Sequence, residues 1–210
     1  MNEPSRQFSS RADVATRLTQ LGLKEPHLRD AAALGATEAS RCTENDPAIA
    51  RGFIQWEKTF RGLCDALLLE GGWHRGDDLV YPRMVRSDGA IAIAVMGGNA
   101  ATGTSDEPTS RQPKGVLSKL AIQGNLFDLS TIALGPQKPG QTWHLMYYTD
   151  WETGETRVEL SRAIRMEPDG HIAGWSERII LPPLTGEPAP IRTDDDDDEG
   201  PQIHVERRTG

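Results

Sequence analysis

The apolar residues Ile49, Phe53, Trp56, Phe60, Leu63 and Leu67 recur at intervals of four and three, the spacing that gathers side chains into one stripe along an α-helix. Asp46 stands at the N-cap position, Pro47 suits the first helical position, and Gly71-Gly72 ends the pattern. The spacing predicts a helix from Pro47 to about Leu69 with Phe53, Trp56, Phe60 and Leu67 buried. Gly52 and Gly62 weaken that helix locally and suggest close packing. Two shorter helices precede it. "SSRADVATRLTQLG" has Ser9 or Ser10 as cap, Asp13 in the first turn, Val14, Leu18 and Leu21 on one face, and Gly22 as stop. "EPHLRDAAALGATEAS" has Pro26 near its start and alanine-rich filling.

After Trp73 the period changes to alternation. "LVYPRMVR" and "AIAIAVMGG" flank Asp88-Gly89 and read as a β-hairpin. Ile91, Ile93 and Val95 share one face of the second arm; Ala90, Ala92 and Ala94 share the other, small enough for close coverage by a helix. Pro82 cannot donate to a ladder, so its strand is expected at an edge or at a bulge. A short helix is expected from Lys114 to about Gln123, and "LFDLSTIAL" fits strand and helix equally. "TWHLMYYTD", "TRVELSRAIRM" and "HIAGWSERIIL" then form a meander. The expected fold is α+β. N-terminal helices (residues 9–71) pack on a mostly antiparallel sheet of about five strands within residues 73–182, all in one domain spanning 1–182.

Composition alters this picture chiefly at the end of the chain. Of 210 residues, 37% are hydrophobic and 26% charged, with a net charge of -8. From Pro183 onward eight acids, including Asp194 to Asp198, stand against three arginines, which leaves the body near balance. Residues 183–210 carry too little apolar surface to offset their ordering entropy, so a disordered acidic tail is expected. Neither part carries the basic footprint of nucleic-acid binding. No apolar run is long enough to span a bilayer, the N-terminus lacks the apolar core of a secretory leader, and two cysteines form no disulfide framework. A soluble cytoplasmic protein is the expectation.

Candidate chemistry centres on the loop after Val95. A strand running into glycines, with Lys114 just before a helix, outlines a phosphate cradle. The spacing fails, however: GxxxxGK[ST] and GxGxxG are both absent, and Lys114 lies eleven residues after Gly103. What remains is a candidate anion-binding loop through Gly97, Gly98, Asn99, Thr102, Thr104, Arg111 and Lys114, against the plainer reading of a long mobile loop. His74 with Asp77 could supply a base or a metal ligand, although Gly, Asp and His also serve turns and caps at a helix-to-strand junction. The five histidines are scattered and no Cys/His pairing occurs, so neither a metal nor a cofactor is expected. Cys64 fits the core and Cys42 has no neighbouring base. Trp143, Leu145 and Tyr147 alternate with His144, Met146 and Tyr148; one face should pack on the helices, leaving the other for a partner or ligand unless helices cover both.

The expected function is therefore a binding or accessory module, with a protein or a small anionic ligand as partner. The alternative is a small hydrolase of a phosphate-containing substrate, using His74, Asp77, Arg111 and Lys114.

Overall fold

A computed structural model describes residues 5–78, 81–115, 118, 119, 122 and 141–185, with 77 and 78 described by their backbone alone. Three helices open the chain after a three-residue strand. Helix α1 spans Arg11–Gln20, α2 Glu25–Ala39 and α3 Ala50–Glu70. The Ser10 hydroxyl accepts from the Asp13 N–H at 3.2 Å, and Gly22 adopts φ 73° just past the end of α1, as the cap and stop residues predict. Helices α2 and α3 pack closely because glycine removes the intervening side chain. A Cβ on Gly35 would sit 2.0 Å from Thr59 Oγ1, and one on Gly62 would sit 3.0 Å from the Ala31 Cα.

Helix α3 differs from its expected form at its start. Asp46 does not cap it. The Asp46 carboxylate instead accepts from the Thr43 N–H at 2.8 Å, closing the preceding turn, and the helix begins three residues later than Pro47. Phe60, Leu63, Cys64 and Leu67 are buried and Trp56 is half-buried. Phe53 is 59% exposed and Ile49 80% exposed, so the apolar stripe is covered only from Trp56 onward. Gly52 has open space where a Cβ would stand and marks no close packing.

The sheet has eight strands, against an expected five. They are β1 (Arg6–Phe8), β2 (Trp73–Asp78), β3 (Tyr81–Arg86), β4 (Ile91–Gly97), β5 (Gln141–Thr149), β6 (Glu155–Ala163), β7 (Trp175–Ile180) and β8 (Leu184–Thr185). The order is β1-β7-β6-β5-β4-β3-β2, with β8 also on β6. β1 on β7 and β4 on β5 are parallel; the other pairs are antiparallel. Strands β1 and β8 are too short to show alternation, and the turn-like composition of Trp73–Asp78 concealed β2. The expected tail boundary moves as well. Leu184 and Thr185 pair with Thr156 and Glu155, and Leu184 packs on the core. Residues 186–210, including the acidic run, lie outside the described residues, as do the "LFDLSTIAL" stretch and most of the helix expected from Lys114. Of that helix, Ser118, Lys119 and Ile122 are helical.

Both faces of the central strands β4 to β7 are covered. The helices bury Met84, Ile93, Val95, Trp143, Leu145, Tyr147, Val158, Leu160 and Ile179 on one side. On the other, Met96, Met146, Ala163 and Trp175 pack with Ile122 and Ile172. Strand alternation was legible in the sequence; the face carrying His144 and Met146 is nevertheless interior rather than a partner surface. No helix among the described residues is long and apolar enough to cross a membrane.

Phe60 and Phe53 separate the covered from the uncovered part of α3. Phe60→Ala is expected to cost about 3–5 kcal/mol through lost burial and a residual cavity, and Phe53→Ala no more than about 0.5 kcal/mol. Chemical denaturation of the two variants checks this; equal losses would contradict the burial assigned to α3.

Candidate functional site

Pro82 shapes the site. Strand β3 pairs with β4 only at Met84↔Ile93 and Val85↔Ala92. Continuing that register would set Pro82 opposite Val95, where a proline has no N–H to donate. The strands part there. The Val95 carbonyl accepts from the Trp56 indole N–H at 3.1 Å, so a helix side chain satisfies it in place of a strand. Pro82 is thus interior in strand order but unpaired towards β4, which reconciles its chemistry with its position.

The gap is a cavity of about 230 Å³. Trp56, Pro82, Ala94, Val95, Met96, Pro113 and Ile172 make it largely apolar, and Tyr81, Lys114, Ser118 and His144 bring polar groups to it. The Tyr81 hydroxyl lies 3.1 Å from His144 Nε2. His144 is 1% exposed, and its Nδ1 is buried without a hydrogen-bond partner among the described residues. Burial, reinforced by the neighbouring Lys114 charge, lowers the His144 pKa to about 3. Burial pushes the Tyr81 phenol well above its ordinary value, against a smaller opposing effect of its hydrogen bond with Ser118. Lys114 is held below its ordinary value by burial alone; no carboxylate pairs with it among the described residues. At neutral pH the Tyr81–His144 pair is therefore uncharged and stands beside a cation. Such a pair is suited to fixed hydrogen bonding and poorly suited to exchanging protons.

The loop expected to hold an anion folds upon itself and the sheet. Gly98 pairs with Ser110, and a Cβ on Gly98 would fall 2.1 Å from Thr102 Oγ1. Thr102 is fully buried. Asn99 Oδ1 accepts from the Ala101 and Thr109 amides, both at 3.2 Å. The Thr104 hydroxyl donates to the Ala101 carbonyl at 2.8 Å, and the Gly97 carbonyl accepts from the Arg111 amide at 2.8 Å. Arg111 is exposed. Of the predicted ligand residues, Lys114 lines the cavity; Arg111, Thr104 and Gly97 do not. His74 is exposed on β2 opposite Val85, and it too is no part of the cavity lining. Asp77 pairs through its backbone with Pro82, and its side chain lies outside the described residues.

Tyr81, Ser118 and Trp56 are not among the site residues that the sequence suggests, and His144 is suggested only as part of a strand face open to a partner or ligand. Two signals were present: a proline in a strand with an interior-like pattern, and a histidine in a strand whose neighbours on both faces are large and apolar. Among the described residues no group of three or more His, Cys, Asp or Glu side chains could hold a metal ion.

His144 gives a pH dependence with a definite sign. Its folded pKa lies below the unfolded value of 6.5, so below pH 6.5 the unfolded chain binds a proton that the folded chain refuses. Stability from this group is complete above pH 6.5 and falls by roughly 1 kcal/mol per unit as pH drops towards 3. Denaturant titrations at pH 7, 6 and 5 should show a steeper decline in the native protein than in His144→Asn. Parallel declines would contradict a neutral buried imidazole.

No described protein family matches this chain, and no curated protein or solved structure matches it either.

Proposed function

We propose that this protein is a binding module whose small ligand occupies the cavity between β3 and β4. The observation that carries the reading is the Tyr81–His144 pair, 3.1 Å apart, set beside Lys114 in a partly apolar recess. A recess with few convergent polar groups and apolar walls is the usual form of a small-molecule site. Ligand contact is favoured over protein contact across the central strands because both of their faces are covered. A cytoplasmic setting accords with Cys42 and Cys64, both buried and unbridged.

The phosphate-ester hydrolase reading has one observation in its favour, the presence of Lys114 in the cavity. It needs a base within reach. His144, the histidine among the described lining residues, stays unprotonated to about pH 3 and would hold an accepted proton poorly at neutral pH.

Gly115 offers a test at the open edge of the cavity: it is exposed, it belongs to the lining, and a Cβ added there meets nothing within 4 Å, so a large side chain can be introduced without a clash at its root. A fragment library screened by NMR should give binders that shift Ala94, Val95, Met96 and Ile172, and Gly115→Trp should abolish those shifts. His74→Ala/Arg111→Ala should leave them intact. Hydrolysis of phosphate monoesters by the native protein, lost in His74→Ala, would overturn this reading in favour of the enzyme.

A further inference from the structure

We infer that the ligand is a monoanion with an apolar tail, a medium-chain carboxylate, whose head meets Lys114 and whose tail leaves past Trp56 over Phe53 and Ile49. The inference rests on the cavity being the binding site. The charge argument comes first. Lys114 is the one cation among the described lining residues, and no carboxylate pairs with it among the described residues. A single ammonium beside hydroxyls matches one negative charge; a phosphate dianion calls for a cluster of cations or backbone amides. The Ser118 hydroxyl, which belongs to a lining residue, provides further hydrogen-bonding capacity for the head.

Size argues for the tail. At about 230 Å³ the cavity falls below the roughly 300–1,000 Å³ of sites that engulf a whole drug-sized ligand; it suits a head group with a short chain, and the end of a longer tail would reach past its wall at Trp56. The surface next to Trp56 is apolar. The Phe53 ring packs on Trp56 with centroids 5.8 Å apart, and Phe53 and Ile49 are 59% and 80% exposed. These two residues continue the α3 stripe beyond its covered part, and no core packing accounts for their exposure. An apolar tail laid from Trp56 across Phe53 would bury surface that is otherwise left in water.

The test is calorimetry and NMR on the full chain with sodium octanoate, sodium acetate and 1-octanol. Octanoate should bind saturably and shift Ala94, Val95 and Ile172. Lys114→Met should weaken it roughly tenfold to a hundredfold, the size of one charge-assisted hydrogen bond lost from a desolvated site. Lys114→Gln, which keeps a polar head, should weaken it comparably and stands in if the methionine variant fails to fold. Phe53→Ser should weaken octanoate roughly fivefold through lost apolar contact while leaving acetate unchanged. Octanol binding as tightly as octanoate, or octanoate binding untouched by both Lys114 variants, would overturn the carboxylate head. Octanoate unaffected by Phe53→Ser would overturn the path of the tail. Fragments that shift the cavity residues where octanoate does not would leave the cavity standing and remove this ligand class; no shift from any compound would remove the cavity reading itself.

Discussion

A buried ion pair holds the second layer of this protein in place. Glu159 on β6 and Arg178 on β7 are both fully buried, and the guanidinium meets the carboxylate through two bonds, at 3.1 and 2.6 Å. A buried pair recovers its desolvation cost only if its remaining donors and acceptors are also satisfied, and here the loop after β4 satisfies them. The Arg178 guanidinium donates to the Thr104 and Asp106 carbonyls at 3.0 and 2.8 Å. Glu159 accepts from the Gly103 amide at 2.8 Å and from the Ser161 hydroxyl at 2.6 Å. Loop and ion pair thus require each other: without the loop, two charges would lose partners, and without the charges, the loop would lose its fixed points. Gly103 fits because its φ of 73° suits a residue without a Cβ, and an added Cβ would approach that of Arg157 to 2.8 Å.

From this anchor the order passes towards the cavity. The Trp175 indole donates to the Pro108 carbonyl at 2.8 Å, and Ser110 Oγ accepts from the Ile172 amide at 3.0 Å. The Lys114 amide then donates to the Gly170 carbonyl at 2.8 Å. Lys114 and Ile172 thereby reach the wall facing Pro82 and Val95. Two causes converge on one recess. Proline opens the sheet between β3 and β4, and the pinned loop supplies a cation and an apolar wall opposite the opening. His144 is buried because that loop covers its face, and this burial keeps its imidazole neutral.

What the sequence made legible follows from how local each signal is. Ser10, Asp13 and Gly22 act within one helix, and α1 formed as they predict. The alternation of Ile91, Ile93 and Val95 against Ala92 and Ala94 likewise depends on the strand alone. Phe53 shows the limit: periodicity marks the apolar side of α3 but does not say how far its cover extends. β1 and β8 arise from pairing with distant partners and have too few residues to show a period. Nothing local to Glu159 or Arg178 signals burial, and only the long-range return of the loop makes them interior. Gly97, Gly98, Thr102 and Thr104 match the composition of an anion-binding loop because the same features, absent side chains and local hydroxyls, also let a loop fold tightly against a sheet. The site residues Tyr81, Ser118 and His144 come from separate segments, and nothing local links them.

The most direct measurement of the account is native-state hydrogen exchange of the loop amides. Gly103, Asn99, Ser110 and Arg111 donate to acceptors fixed by the loop and its anchor. Their exchange free energies should approach those of β5 and β6 in the native protein and drop together in Arg178→Met, which leaves Glu159 buried without its cation. Loop amides that exchange freely in the native protein while β5 and β6 stay protected would contradict the claim that the buried pair and the loop are one unit.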